Sequence, residues 1–471
     1  MNNWLRGFPR AALCVALAVL SCTAVGRDPF DTGRLAPSHV HAPLPGVVPD
    51  PCLDAAALPA ALTLLDAINV ALCRNPRTRE TWANARVAAA QVGVQRAARL
   101  PTLQADVSAQ REQARNAPGS GGQTRLAAGA TLNYVLFDFG AREANLDTAR
   151  QSLAAANWTH NAVIQQVLFD TAEAYYRLFA ATENVAAARA AEDSARESLE
   201  AAQARLSAGR GTRADVLQAQ TAYSQAKLNR TRAEGDAASA QGTLATALGF
   251  DADRALALAP PPELALRVVR DAVASLIRTA RERRPDLLAA EAQVRAAQSN
   301  LRAIEAQGKP TVSSFAGLSA AQEAPGSDPR SGAIGVQVSI PLFTGYRNTY
   351  ELRAARSQVE TRIATRDRLA SQIALDVWTS YQSLQTEGQA FETALDLVAS
   401  AQESYRAALA RYKAGVGTLI DVLNAQSSAA AAQSQKIQSQ FNWYIAKASL
   451  VRALGTLDAG VFSEPVSRGE P

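Results

Sequence analysis

The chain has 471 residues, of which 48% are hydrophobic, only 6% aromatic and 19% charged, and it contains 21 Pro and 27 Gly. The scarcity of aromatic residues argues against an ordinary enzyme core, and the small number of Pro and Gly predicts long uninterrupted elements. The net charge of +5 is spread along the sequence and forms no basic block, so nucleic acid is not expected as a partner.

The first 26 residues have the pattern of a signal peptide, because arginines precede an apolar run of about ten residues from Ala11 to Leu20. Cleavage after Gly26 is the favoured processing. The alternative is a bacterial lipoprotein signal with Cys22 as the acylated residue, although Leu20 is bulky for that motif. No later apolar run is long enough for a transmembrane helix, so we expect an exported chain.

Two of the four cysteines fall in this leader, which leaves Cys52 and Cys73 in an oxidising compartment. A disulfide between them is the expected use of such a pair, and two unrelated buried thiols are the alternative. The three histidines, His39, His41 and His160, lack the spacing of metal ligands. The sequence therefore predicts neither a metal site nor a cofactor.

An internal repeat organises the rest of the chain. RLSAGRGTRADVLQAQ from Arg205 aligns with RYKAGVGTLIDVLNAQ from Arg411 without a gap, at an offset of 206 positions. The LF motifs at Leu136 and Leu342 have the same offset. We therefore divide the chain into an N-terminal extension (27–61), a first repeat (62–257), a second repeat (258–457) and a disordered tail (458–471).

Each repeat is predicted to contain an entering helix, two strands, a very long helix, a turn and a return helix. The long helices are the proline-free stretches from Ala141 to about Ser207 and from Arg347 to about Lys413, each about 100 Å long at 1.5 Å per residue. The return helices, 213–248 and 419–454, are roughly half as long. We expect the return helix of one repeat to stack on the entering helix of the next, beside the long helices as a coiled coil.

The segments between the helices predict two β-hairpins. Residues 332–343 alternate along the chain with a strict period of two, and residues 126–136 do the same. Their partner strands begin after Pro101 and Pro310, and a loop rich in Gly, Ser and Pro joins each pair. Strands of about ten residues suit a membrane, but four strands cannot close a barrel, so several chains must share one. Aromatic residues near the strand ends suit a membrane-interface belt: Tyr134, Phe137, Phe139, Phe343 and Tyr346.

These features resemble the TolC family of outer-membrane channel proteins. The residues that carry the resemblance are LTLLDAINVALCRNP from Leu62, the two LF motifs, and the AGxGT…DVL…AQ blocks from Ala208 and Ala414. The resemblance extends from about Leu62 to Leu457 and implies a mixed, mainly α-helical fold. In the implied homotrimer, twelve strands, four from each chain, form a β-barrel in the outer-membrane lipid, and the helices form a coiled-coil tunnel in the periplasm.

The resemblance implies a channel that does no chemistry and passes cargo from an inner-membrane transporter and a periplasmic adaptor protein to the exterior. The presence of Cys52 together with Cys73, just before Asn75-Pro76, resembles the branch of the family that serves type I secretion. In that branch an ATP-binding cassette (ABC) transporter exports a protein. Within that branch the chain resembles the outer-membrane component of an adenylate cyclase-haemolysin toxin exporter. Efflux of small molecules is the alternative, an exported coiled-coil structural protein is the second alternative, and an enzyme is the least supported.

The glycine turns Gly209-Arg210-Gly211 and Gly415-Val416-Gly417 join each long helix to its return helix. We expect a left-handed backbone there, which only glycine tolerates without strain. The turns lie at the ends of the long helices farthest from the strands. By resemblance, they form the periplasmic mouth of the tunnel, where the channel is closed.

The resemblance also implies which residues close this mouth. By position, the gate or pore constriction contains Asp215, Tyr412, Asp421 and Asn424. Gly417 stands where the family has an arginine, and we hypothesise that Arg210 or Arg213 supplies the missing cation. Helix capping by the two aspartates and simple packing of Tyr412 are the alternatives.

Overall fold

The computed structural model describes residues 28–37, 59–112, 123–260, 272–324 and 330–457. The predicted signal peptide (1–26), Cys22, Cys52 and the C-terminal tail (458–471) lie outside the described residues. The chain divides into two compact units, each made of three separate segments. The sheet unit comprises Met1–Ser38, Ala85–Ala156 and Ala290–Thr365, and the helical unit comprises His39–Asn84, Asn157–Ala289 and Arg366–Pro471.

Long helices dominate the described residues. In chain order the helices are α1 (Leu64–Arg74), α2 (Pro76–Ala97), α3 (Ala141–Ser207), α4 (Arg213–Ala247), α5 (Val273–Arg283), α6 (Pro285–Gln307), α7 (Arg347–Lys413) and α8 (Leu419–Ala453). The long helices α3 and α7 have 67 residues each, and the return helices α4 and α8 have 35 each. Corresponding ends are 206 positions apart, and the predicted long and return helices are confirmed. Within the described part of the chain, none of these helices combines the length and apolarity needed to span a bilayer.

A proline breaks each entering segment into a short helix and a longer one. Pro76 begins α2 and Pro285 begins α6, at the first helical position, where a missing N–H breaks no helical hydrogen bond. The residues before them, Asn75 and Arg284, have extended backbones with ψ angles of 126° and 120°. The helical hydrogen bonding is therefore interrupted at these two points.

The strands form one antiparallel sheet in the order β1-β2-β3-β4. Their bounds are β1 (Thr102–Glu112), β2 (Gln123–Phe137), β3 (Thr311–Ala324) and β4 (Arg330–Ser339). The two predicted hairpins are confirmed, and β2 also pairs with β3, which joins the hairpins into one sheet. The prediction that the last strand reaches Phe343 is wrong, because β4 ends at Ser339 and Pro341 has no N–H to continue the ladder.

The register places apolar residues on one face of the sheet and polar or small residues on the other. On the first face, which we call the apolar face, the cross-strand partners include Leu103 with Leu132, Ala130 with Leu318, and Ala316 with Ile334. Because side chains alternate along a strand, the opposite face carries residues such as Gln104, Thr131, Asn133 and Gln337. The apolar face is open in the single chain: Val107, Leu318 and Ile334 are 77%, 72% and 88% exposed.

The return helices end against the entering helices of their own half of the chain, so the prediction that they meet the next half is wrong. Gly249, after α4, has a φ of +79°, and a Cβ there would lie 2.9 Å from the carbonyl oxygen of Arg74. Gly455, after α8, approaches Arg284 equally closely. Asn75 Nδ2 also donates a hydrogen bond to the carbonyl of Ala247 at 3.1 Å. Helical periodicity cannot predict this packing, because it depends on two glycines that let backbones touch.

The core of the helical unit includes Tyr175 of α3, which is fully buried. Its hydroxyl lies 3.1 Å from the carbonyl oxygen of Leu62 and 2.5 Å from that of Ala259. Leu62 and Leu258 also form an isolated parallel bridge. The tyrosine therefore satisfies its buried hydroxyl while tying the segment before α1 to the segment after α4.

Candidate gate at the two helix turns

Both turns end a long helix in the same way. Gly209 has a φ of +68° and donates its N–H to the Leu206 carbonyl at 3.0 Å, while the next N–H, of Arg210, returns to Arg205 at 2.8 Å. In the second turn, Gly415 (φ +86°) and Val416 make the equivalent bonds. These paired bonds define a Schellman motif, in which a left-handed glycine satisfies the last carbonyls of the helix.

The second glycine of each turn has a different role from the one predicted. Gly211 and Gly417 are not left-handed, so the expectation of a left-handed backbone holds only for the first glycine of each turn. A Cβ on Gly211 would lie 2.9 Å from the backbone nitrogen of Leu206, and one on Gly417 would lie 3.2 Å from the Cβ of Arg411. Glycine is needed here because the chain passes close to the helix end it has just left.

The two aspartates predicted for the gate lie in the first turns of the return helices, in identical capping boxes. In the first, Thr212 N–H donates to Asp215 Oδ2 at 3.0 Å, and Asp215 N–H donates to the threonine hydroxyl oxygen at 3.1 Å. Thr418 and Asp421 make the same reciprocal pair at 3.3 Å. Hydrogen bonds from the Thr418 side chain and backbone lower the pKa of Asp421, so this exposed carboxylate is ionised at neutral pH. Capping, which the sequence left open as an alternative, is what these side chains do in the single chain.

Tyr412, at the end of α7, is packed and not exposed. It retains 3% of its accessible surface within a cluster of Leu199, Ala202, Ala219, Leu419 and Val422, which brings together α3, α4, α7 and α8. Its buried hydroxyl has no hydrogen-bond partner in the described part of the chain. Burial raises the pKa of Tyr412, and the charge of Asp215 adds to this while Arg205 opposes it.

A cation does contact Tyr412, but it is Arg205 and neither of the two arginines suggested by the sequence. The Arg205 guanidinium lies 4.6 Å from the centre of the Tyr412 ring, and Nη1 donates to the Tyr412 carbonyl oxygen at 2.5 Å. Its Nη2 reaches the carbonyl of Arg210 at 3.3 Å. The side chains of Arg210 and Arg213 are exposed and make no ion pair within the described ranges. The sequence offered one indication of this arginine, because Arg205 is the first residue of the block that is repeated at Arg411.

Further contacts join α3 to α7 and to α8 near the turns. Lys413 Nζ lies 2.5 Å from Glu197 Oε1, and both side chains are half exposed. An ion pair of this exposure contributes less than about 1 kcal/mol. Ser198 of α3 donates to Gln426 Oε1 of α8 at 3.3 Å in a buried position. Among these contacts, we therefore expect the charged hydrogen bond of Arg205 to the Tyr412 carbonyl to stabilise the turns most.

Asn424 and Asp421 are both exposed and lie three residues apart, on one face of α8. That face carries one carboxylate and one neutral amide at the start of the helix. Such a surface attracts cations but holds less charge than two aspartates would.

The remaining predicted sites lie apart from the turns. Cys73 is disulfide-bonded, and Cys52, the expected partner, lies outside the described residues, so the pairing stays a prediction. His160 is buried and its Nδ1 shares a hydrogen bond with Thr81 Oγ1 at 2.9 Å. His39 and His41 lie outside the described residues, and no cluster of potential metal ligands occurs within them.

Comparison with known proteins identifies a family for this architecture. The family described as Outer membrane efflux protein matches twice, at residues 67–250 and 276–456. Protein CyaE of Bordetella pertussis is 32% identical over 444 residues, which cover 90% of this chain and 89% of that protein.

Two further similarities agree with this match. Outer membrane efflux protein BepC of Brucella suis is 26% identical over 412 residues, covering 87% of this chain and 89% of that protein. The crystal structure of a membrane protein from Pseudomonas aeruginosa superimposes with a TM-score of 0.75 at 26% identity, covering 89% of this chain and 99% of the other. The long helices, the four-stranded antiparallel sheet and these matches lead to one conclusion: the chain belongs to the outer membrane efflux protein family.

Proposed function

We propose that three copies of the chain close one β-barrel in the outer membrane and form a duct that crosses the periplasm. The apolar face of the sheet carries this proposal. Leu103, Val107, Leu318, Ile334 and Val336 are 64–88% exposed on it. Edge strands β1 and β4 each have one unpaired side in the single chain. A sheet with such a face and two open edges suits lipid only when further strands close it.

Twelve strands, four from each of three chains, satisfy every edge in a closed ring. The internal duplication supports this arrangement, because each repeat supplies one hairpin and one long helix. The family match to both halves and the equal lengths of α3 and α7 support the duplication. The proposed boundaries are those of the sequence, 62–257 and 258–457.

In this assembly the helix turns form the periplasmic mouth. Asp421 and Asn424 line the constriction, together with Asp215, and Tyr412 packs behind them. A periplasmic adaptor protein docks on the helices, an inner-membrane transporter delivers the cargo, and the chain conducts it without a cofactor or a chemical step. The exposed carboxylate of Asp421, ionised at neutral pH, supports a cation-attracting ring in the trimer.

A protein is the proposed cargo, delivered by an ABC transporter of a type I system. This is supported by the greater identity to Protein CyaE than to BepC and by the disulfide at Cys73. Small molecules are the second candidate, because BepC is named an efflux protein. Expression in a strain that lacks its own channel, with measurement of both protein secretion and tolerance to toxic compounds, separates the two. Restored secretion without restored tolerance supports the protein cargo, and the reverse supports efflux.

The barrel is tested by placing one charge on each face of the same strand. Ile334 lies on the apolar face of β4, and Gln337 lies on the opposite face. Ile334→Lys would expose a charge to lipid at a cost of about 2–4 kcal/mol, whereas Gln337→Lys would face the lumen. We expect Ile334→Lys to reduce the amount of trimer recovered from outer membranes while Gln337→Lys does not. If the sheet is solvated on both faces, Ile334→Lys will be harmless, and this result would overturn the barrel.

A further inference from the structure

The apolar face of the sheet carries charge at only two of the described strand positions. Following the register across the strands, this face includes Arg111 of β1 and Arg330 of β4. All other described strand residues on it are uncharged, so neither arginine has an acidic neighbour among the described residues of this face. Among the described strand residues, this face therefore has two positive charges and no negative charge, on a surface that the proposed function turns towards lipid.

Both arginines lie at the same end of the sheet. Arg111 is at the end of β1 that leads towards β2, and Arg330 is the first residue of β4, after the connection from β3. Both side chains are exposed, and neither makes a hydrogen bond or an ion pair in the described part of the chain. The opposite end, next to the helices, is aromatic: Phe137 packs edge-to-face against Phe139, and Phe343 packs edge-to-face against Tyr346. The two ends of the sheet thus present different chemistry to the two membrane interfaces.

The two arginines come together only if the proposed function holds, because they lie on β1 and β4, the two edges of the sheet. In a closed barrel, β4 of one chain lies beside β1 of the next. Arg330 and the next copy's Arg111 then stand on adjoining strands, and the trimer has three such places. In the proposed assembly, the aromatic end of the sheet, where the chain continues into the helices, faces the periplasm. The arginine end of the sheet therefore faces the outer leaflet.

We infer that each junction of β4 with the next copy's β1 binds a phosphorylated glycolipid of the outer leaflet. Arg111 and Arg330 hold its phosphate groups, since a planar guanidinium donates paired hydrogen bonds to phosphate oxygens. The acyl chains lie over Val107, Leu318 and Ile334, which are exposed on the same face. A free phosphate would use the arginines alone, whereas a lipid uses the arginines and the apolar surface together, and this combination favours the lipid. An arginine in this position without an anion would have to extend back to water.

The test uses the purified full-length trimer in detergent, titrated with diphosphoryl lipid A and followed by native mass spectrometry. We expect up to three lipids per trimer, and roughly tenfold weaker binding for Arg111→Gln or Arg330→Gln because each loses a charged hydrogen bond. Arg111→Lys and Arg330→Lys should retain most of the binding. The matched control is Arg281→Gln, which changes an exposed arginine of α5 far from the strands in sequence. Size-exclusion chromatography establishes that each variant is still a trimer.

Dephosphorylated lipid A and inorganic phosphate identify which part of the ligand is recognised. We expect dephosphorylated lipid A to bind the unmodified chain as weakly as lipid A binds the double variant, and millimolar phosphate not to displace the lipid. Equal affinity for lipid A in the double variant and the unmodified chain would overturn the inference, and so would equal affinity for the dephosphorylated lipid. A preparation that never forms trimers contradicts the proposed function, whereas a trimer whose lipid binding ignores both arginines contradicts only this inference.

Discussion

Arg205→Met tests whether one guanidinium holds the two long helices together at the helix turns. The substitution keeps an apolar stem of similar length and removes the bond to the Tyr412 carbonyl (2.5 Å), the longer bond to Arg210 (3.3 Å) and the ring contact at 4.6 Å. A hydrogen bond from a charged group contributes about 1.5–3 kcal/mol, and a cation–π contact about 0.5–2 kcal/mol. Because Arg205 is only partly buried, we expect a loss of about 2–3 kcal/mol of local stability at the turns.

Hydrogen exchange of the purified full-length protein, measured by mass spectrometry, reports this local stability. Peptides around residues 199–216 and 405–422 should exchange roughly 30- to 150-fold faster in Arg205→Met, with little change elsewhere. The matched control is Arg411→Met, because Arg411 occupies the corresponding place in the second half, but its side chain is exposed and makes no hydrogen bond or ion pair within the described residues. Its charge acts on Asp421, whose pKa it helps to lower. Equal acceleration in the two variants, or none in either, would refute the assignment of Arg205 as the link between α3 and α7.

Three further substitutions test the geometry. Gly249→Ala should destabilise the chain by about 1–3 kcal/mol, because the φ of Gly249 is +79° and the new Cβ would touch the α1 backbone. The control Gly235→Ala lies inside α4, where the new Cβ has open space, and it should stabilise the chain by up to about 1 kcal/mol. Thermal unfolding midpoints of the two variants measure the difference. Thr418→Ala should destabilise the turn by about 1 kcal/mol and raise the pKa of Asp421 towards 3.8. NMR titration of the Asp421 carboxyl measures the shift. An unchanged pKa would mean that the capping box does not lower the pKa of Asp421. Burial raises the folded-state pKa of Tyr412, so the contribution of its neutral hydroxyl to stability is complete below the unfolded-state pKa near 10 and is lost as the pH rises through the folded-state pKa. Tyr412→Phe should therefore lose less stability than the unmodified chain between about pH 9 and 11. Parallel losses in the two proteins would contradict burial of the hydroxyl.

Local sequence determines most of the secondary structure. The absence of proline from 141 to 207 and from 347 to 413 is sufficient to predict α3 and α7, and the alternation in 126–136 predicts both β2 and its apolar face. The capping boxes follow from Thr and Asp three positions apart after a glycine turn. These features depend on neighbours within a few residues, which is why they could be predicted.

Contacts between distant segments could not be predicted in the same way. The pairing of β2 with β3 joins residues about two hundred positions apart, and nothing in either strand specifies its partner. The contact of Gly249 with Arg74 depends on backbone approach, and the contact of Arg205 with Tyr412 depends on which faces of α3 and α7 meet. The sequence predicted the turns as a candidate gate but not the arginine that contacts Tyr412 there.

Single-channel recording in planar bilayers tests the central claim most directly, that the chain forms a channel with its constriction at the helix turns. We predict a small conductance that prefers cations, and a loss of that preference in Asp421→Ala, since Asp421 supplies the exposed carboxylate in the first turn of the helix that follows the second turn. Asp396→Ala, which removes an exposed aspartate from the C-terminal half of α7, seventeen residues before the end of that helix, should leave the preference unchanged. Absence of any channel, or a cation preference that survives Asp421→Ala, would contradict the account.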